Sequence, residues 1–320
     1  MIKKFWCFAL LIVLCFSFSS CAKTKKATES AFCLDTMINI TCYGQNASEA
    51  AKAAMSEIRR IEFLLSPYIE TSEIYQINHN AHKSPWKISD ETAFVIGQAL
   101  EFCSLTDGAF DITIKPLVDL WNIKAENPIP PTDEKINEAK QKVDYSLVTL
   151  KDGFISFAKE GMMIDLGGAA KGYACDKAVE ILKSYGIKNA ILDLGGNIYA
   201  MGQSEKKAPW RIGLQDPSGE RGEYFDVVEL SDLSCVTSGS YERYFEYDGK
   251  IYHHIINPHT GKCADTGLIS VSVVADSSFQ ADMLSTAIFV MGEENFEKIK
   301  DNFSIKKYVV VDKTNNWRAY

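Results

Sequence analysis

The sequence predicts an α+β fold: mixed or antiparallel sheets with packed helices, built as one large domain or two lobes. Three observations lead there. Segments with apolar residues three and four apart, the helical spacing, are interspersed with short alternating or β-branched stretches, the strand spacing. The two kinds do not alternate regularly enough for a doubly wound parallel sheet. The chain has 320 residues, 46% of them hydrophobic, which is ample for a sizeable core.

The N-terminus reads as an export signal. Lys3 and Lys4 precede an apolar run from Phe5 to about Phe18, followed by Ser19, Ser20 and Cys21. That order is a signal peptide, and the run is shorter than the roughly 20 residues a membrane-crossing helix needs. Residues 1–20 are expected to be a lipoprotein signal peptide, with Cys21 acylated after cleavage. Several acyl chains anchor firmly where one is marginal. An ordinary signal peptide with an incidental Cys21 is the plainer alternative. Residues 21–31, mostly polar and charged as far as Glu29, are expected to form a lipidated tether. Residues 32–320 would form the folded body outside the cytoplasm, facing the periplasm or cell exterior.

The formal charge is −8 and becomes two units more negative without Lys3 and Lys4. An acidic body argues against nucleic acid and against adhesion to anionic lipid. Besides Cys21, the body holds Cys33, Cys42, Cys103, Cys175, Cys235 and Cys263. Their spacing fits no zinc pattern, and buried free thiols are the expectation.

A strand pair is expected from near Phe32 through Tyr43, then a helix from Glu49 to Leu65. Ala51, Met55, Ile58, Ile61 and Leu65 give that helix one buried stripe, and Pro67 stops it. Thr71 or Ser72 caps a short turn. Pro85 to Ile88 reads as a strand, and Ser89 as the cap of a helix from Glu91 to Leu105. Asn127 to Asp133 is a proline-rich excursion before a short helix, Glu134 to Lys142. Asp152-Gly153 marks a hairpin between Leu147–Leu150 and Phe154–Phe157. A helix from Lys171 to Tyr185 follows, then strands at Ala190–Leu194, Trp210–Leu214, Tyr224–Leu230 and Ile269–Ala275. A helix from Ala281 to Met291 and a strand at Tyr308–Val311 complete the body. Asp-Leu-Gly-Gly occurs at 165–168 and again at 193–196, a hint of duplication that four residues do not establish.

Four segments carry candidate chemistry. Asp165-Leu166-Gly167-Gly168-Ala169-Ala170-Lys171-Gly172 puts a carboxylate at a strand end, then small residues, then a lysine opening a helix. Amides at a helix start favour phosphate, and small side chains permit close approach. The segment is neither a P-loop nor a dinucleotide fingerprint, and a bland turn is the competing explanation. Asp282 and Thr286 lie four apart on an apolar helix and share a face. Such a carboxylate must be exposed, paired or metal-bound, and hard oxygens suit magnesium. The alternative is an Asp placed by the helix dipole. Tyr252 to Gly261 contains three of the five histidines, any of which is a candidate general base or part of a polar strand edge. Thr237-Ser238-Gly239 reads as a hydroxyl-rich loop.

In order along the chain, these segments resemble the ApbE-type FAD:protein FMN transferases. The strongest matches are Gly108-Ala109-Phe110-Asp111-Ile112-Thr113, Asp165 to Gly172, Asp193-Leu194-Gly195-Gly196-Asn197, Thr237-Ser238-Gly239, His254-Ile255-Ile256 with Pro258, and Ala281-Asp282 with Thr286-Ala287. The likeness covers about residues 32 to 312.

The resemblance implies cleavage of FAD at its diphosphate, release of AMP, and magnesium-dependent transfer of FMN to a threonine of a target protein. Targets would be exported flavin-carrying subunits of membrane redox complexes. Some members resemble FAD pyrophosphatases, and a flavin-scavenging binding lipoprotein is a more distant alternative. The resemblance assigns Asp282, Thr286 and a backbone carbonyl of Gly168–Ala169 to the metal. It assigns Leu34, Tyr68, Ala109, Phe110, Asp111, Asp165, Lys171, Thr237, Ser238, Gly239, His254 and Ile256 to the FAD site. His254, or else Asp165, takes the acceptor's proton. Two positions depart from the pattern: Leu34-Asp35-Thr36 replaces Met-Gly-Thr, and Asn257 replaces an Asp before Pro258.

Overall fold

In the computed structural model, which describes residues 25–320, the chain enters at β1 (Lys26–Cys33), antiparallel to β2 (Thr36–Tyr43). Cys21 lies outside the described residues. Only Leu34 and Asp35 separate the strands, with φ of 50° and 61°, a two-residue turn whose twist matches the strands. The tether expectation is corrected here, because residues 26–31 are strand. Their low hydrophobicity hid the pattern: Ala31 and Cys33 are buried while Thr28 and Ser30 face out, as an edge strand allows.

Helix α1 (Ala47–Leu65) buries the expected stripe. Helix α2 (Glu73–Asn80) is capped by Ser72, whose Oγ accepts from Tyr75 N at 3.0 Å, and extends the short turn expected there. β3 (Trp86–Lys87) leads to α3 (Asp90–Leu105), capped by Ser89. Helices α4 (Lys115–Trp121) and α5 (Asp133–Lys140) follow, then the hairpin of β4 (Val148–Lys151) and β5 (Phe154–Phe157) around Asp152-Gly153. Next come α6 (Ala170–Ser184), β6 (Asn189–Leu194), β7 (Asn197–Met201), β8 (Trp210–Gln215), β9 (Tyr224–Leu230) and β10 (Leu233–Gly239). The chain ends through β11 (Tyr244–Tyr247), β12 (Lys250–His253), β13 (Leu268–Ala275), α7 (Ser278–Met291), α8 (Glu293–Glu297), β14 (Lys307–Asp312) and β15 (Trp317–Ala319).

Eight strands form one antiparallel sheet in the order β1-β2-β6-β7-β10-β13-β14-β15. Helix α1 packs on β1 and β2, α7 packs on β10 and β13, and α6 joins the two helices. The resulting core runs continuously from Ala31 to Val310, so the chain is not split into two lobes. On the other face the β8–β9 ribbon buries Ile212, Leu214, Val228 and Leu230 against Ala200, Cys235, Val274 and Val309. β13 is therefore covered on both sides and nearly all buried. Thr237-Ser238-Gly239, expected as a loop, is the end of central strand β10. Its run of Ser, Cys, Val, Thr and Ser offers no alternation to read. The six described cysteines are free, five of them buried.

One close approach aligns the site. At Gly172, α6 crosses the start of α7 so tightly that a Cβ would lie 2.3 Å from Ser278 O. One turn on, Asp176 caps α7 by accepting from Ser277 Oγ (2.7 Å), Ser278 N (2.8 Å) and Phe279 N (3.1 Å).

Candidate active site

A cleft of about 1010 Å³ opens between the β1–β2 turn, the loop before α4, the glycine segment before α6, the end of β10, residues 254–258 and one face of α7. It collects every residue the sequence reading assigned to the metal and FAD sites except Ala169, which is fully buried.

The glycine segment is shaped by its own carboxylate. Asp165 N donates to Ile112 O (2.8 Å), and Asp165 Oδ1 accepts from Gly167 N (2.7 Å), bending the chain toward α6. Burial raises the Asp165 carboxyl above its ordinary value. Asp193 makes the same turn, accepting from Gly195 N at 3.0 Å, and also lines the cleft. The repeated tetrapeptide is thus a repeated turn; the first opens a helix and the second joins two strands.

Asp282 is almost wholly buried on α7. Its Oδ2 accepts from Gly172 N at 2.9 Å, and its Oδ1 lies 3.5 Å from Lys171 Nζ. Lys171 Nζ also donates to Gly167 O at 3.2 Å. Thr286 Oγ1 donates to Asp282 O (3.3 Å) and lies 3.3 Å from Ser238 Oγ. Gly168 is so close that a Cβ there would meet Thr286 Oγ1 at 3.3 Å. The two carbonyls of the Gly168–Ala169 stretch separate here. Ala169 O begins the helical ladder by accepting from Tyr173 N at 3.0 Å. Gly172 N turns to Asp282 instead of to Gly168 O, four residues back. Of the pair, the Ala169 carbonyl is therefore the one engaged in the helical ladder. Among the described residues no three His, Cys, Asp or Glu side chains converge as a metal cluster. The oxygens gathered here are the Asp282 carboxylate and the Thr286 and Ser238 hydroxyls, beside the Gly168 backbone.

His254 also lines the cleft. Its Nδ1 is 3.2 Å from Arg243 O, which can only accept, so Nδ1 carries the proton and Nε2 keeps its lone pair. Burial, with the nearby Arg243 charge, lowers its pKa to about 3. The ring is neutral, with Nε2 unprotonated, throughout the physiological range. His253 is buried, paired to Ala264 O at 3.1 Å, and packs edge-on against Phe289; it belongs to the core.

The remaining residues divide by role. Asp111 lines the cleft, but Thr113 N, Thr113 Oγ1 and Tyr145 N all donate to its carboxylate, so it chiefly shapes the loop. Burial raises its pKa. Ala109, Phe110 and Ile256 are buried apolar lining, and Leu34 is partly exposed at the turn. Thr237 Oγ1 is 2.7 Å from Ser272 Oγ, and Ser238 Oγ is 2.8 Å from Ser285 Oγ, tying the end of β10 to β13 and α7. Tyr68 stands exposed at the mouth with Lys115 Nζ 4.6 Å from its ring centre. Arg243, Lys124 and Glu62 line the cleft as well. Lone charged residues carry no local signal; only the fold brings them here.

The model of the ApbE family matches residues 34–308. The FAD:protein FMN transferase of Treponema pallidum is 32% identical over 91% of this chain and 86% of its own length. That of Vibrio cholerae is 31% identical over 90% and 88%. Among solved structures, the ApbE protein of Thermotoga maritima superposes with a TM-score of 0.85 at 35% identity, covering 92% of this chain and 96% of its own. The Vibrio cholerae flavin transferase ApbE does so with a TM-score of 0.82 at 30% identity, covering 93% and 97%.

Proposed function

The chain belongs to the ApbE family and is an FAD:protein FMN transferase, and we propose that its acceptor is a threonine hydroxyl, modified as a phosphoester with release of AMP. The observation that carries the mechanism is the convergence, in one cleft, of the Asp282–Thr286–Gly168 oxygens, the Lys171 ammonium and the free Nε2 of His254. His254 Nε2, which is unprotonated, accepts the threonine proton as the hydroxyl attacks. The threonine oxygen attacks the FMN-side phosphorus, and the bond to AMP breaks. Lys171, held by Gly167 O and Asp282, places a positive charge beside the diphosphate. Asp165 shapes the glycine segment and is the lesser candidate for the base.

Asp282, Thr286 and the Gly168 carbonyl fit magnesium, which takes hard oxygens and typically binds through one or two carboxylates plus substrate phosphates. When bound, the ion would offset charge on the phosphoryl oxygens. The location is part of the same proposal. Lipid on Cys21 holds the body at the membrane, where exported flavin-carrying subunits of membrane redox complexes are its partners. No helix among the described residues is long and apolar enough to cross a membrane.

The test is incubation with FAD, Mg²⁺ and a candidate acceptor protein. Denatured acceptor that stays flavin-fluorescent supports transfer; free FMN with unlabelled acceptor points to hydrolysis by water. FAD held for hours with no AMP released means a binding protein. Asp282→Ala should lose more than about 10²-fold in turnover and abolish the Mg²⁺ dependence of FAD binding. Full turnover at limiting Mg²⁺ would remove Asp282 from the metal site.

A further inference from the structure

The tip of the β1–β2 hairpin is tied to the residue that holds His254. Asp35 occupies the second turn position at φ 61°, a left-handed backbone region that favours glycine. The family resemblance expects glycine there. The aspartate is engaged from two directions. Its carboxylate pairs with Lys124, from the loop after α4, and with Arg243 Nη2 at 2.8 Å, from the segment between β10 and β11. The same Arg243 nitrogen donates to Asp35 O at 2.9 Å. Arg243 O in turn accepts from His254 N at 3.1 Å and from His254 Nδ1 at 3.2 Å. From below, Glu62 Oε1 on α1 accepts from Leu34 N at 2.7 Å, so the turn itself has a fixed base.

We propose that Asp35 is a positioning residue: through Arg243 it sets the orientation of the His254 ring and closes this end of the cleft. This rests on the reading of His254 as the base. The pairs are roughly half exposed, and exposed ion pairs contribute little, so the clasp does little for stability. Its effect is geometric. The Arg243 carbonyl fixes which His254 nitrogen carries the proton and where the other points. With the guanidinium released, that carbonyl is held only by His254 N, where the β11–β12 ladder ends, and the segment before it can shift the carbonyl relative to the ring.

The test uses the full folded protein with ¹³C,¹⁵N-labelled histidine, the His254 ring signals being assigned by their loss in His254→Ala. Asp35→Asn removes the charge but tolerates the left-handed backbone, and Asp35→Gly removes both the charge and the strain. Arg243→Lys keeps a charge without the fork. The clasp predicts shifted or broadened His254 ring signals in all three. It predicts a kcat about three- to tenfold lower, with KM for FAD within about twofold, and no further loss when Asp35→Asn is added to His254→Ala. Unchanged ring signals in Asp35→Asn and Asp35→Gly would overturn it, as would a kcat loss that persists in full in the His254→Ala background. If His254→Ala alone keeps full kcat, the base assignment fails, and the ring signals still decide whether Asp35 sets the ring.

Discussion

Gly172 is among the tightest glycine positions of the described residues, and Gly172→Ala tests how the site is assembled. A Cβ at 172 would lie 2.3 Å from Ser278 O and 2.7 Å from both Ser278 C and Phe279 Cα, where ordinary contact begins at 3.4 Å. All three atoms are backbone, so no rotamer change relieves the overlap and the two helices must part by about 1 Å. Overpacking of this kind costs about 1–3 kcal/mol, while alanine in a helix returns at most about 1 kcal/mol. The net expectation is a loss of about 1–2 kcal/mol. The functional loss should be larger. The same displacement pulls Gly172 N from Asp282 Oδ2, now 2.9 Å apart, and moves the carboxylate relative to Gly168. A misplacement near 1 Å can lower turnover by about 10²-fold. Urea unfolding should show a lower midpoint at unchanged slope, and FMN transfer should show the drop in kcat/KM. Gly97→Ala serves as control, because its Cβ would meet only Leu150 Cδ2 at 3.5 Å; it should be neutral or stabilising by up to about 1 kcal/mol. A Gly172→Ala protein with native midpoint and native turnover would refute the close-packing argument.

His254→Ala should lower kcat by about 10²-fold or more with little change in FAD affinity; equal loss in both would make His254 a binding residue. Because burial lowers the His254 pKa to about 3, kcat/KM should show no acid limb from this residue near 6.5, falling only as pH approaches 3. The stability sign follows from the same shift. Below about pH 6.5 the unfolded chain takes up a proton that folded His254 refuses, so stability declines as pH falls toward 3. His254→Ala should flatten that part of the stability curve, and an unchanged slope would contradict the shift. Cys21→Ser should move the protein from the membrane fraction to the soluble fraction and remove the lipid mass from its N-terminal peptide. Retention in the membrane would sink the lipoprotein reading.

The elements most legible in the sequence were those with periodic burial or a required turn. The α1 stripe from Ala51 to Leu65, the Ser72 and Ser89 caps and the Asp152-Gly153 hairpin were each readable locally, because their causes lie within a few residues. The glycine segment and the Asp282–Thr286 spacing were visible as well, though on residue chemistry alone both had bland explanations. β1 and β10 were misread for opposite reasons. The first is an edge strand too polar to show alternation, and the second is a central strand covered on both sides, where alternation has no meaning.

What the sequence by itself determined was the kind of chemistry: hard oxygens, a lysine and a histidine, in an order matching one family. Only the tertiary structure decided which oxygen of Gly168–Ala169 remains available, which nitrogen of His254 is free, and that Asp35 reaches Arg243. The first and third depend on contacts between residues more than a hundred positions apart, and the second on the register of the β11–β12 hairpin, none of which local sequence encodes.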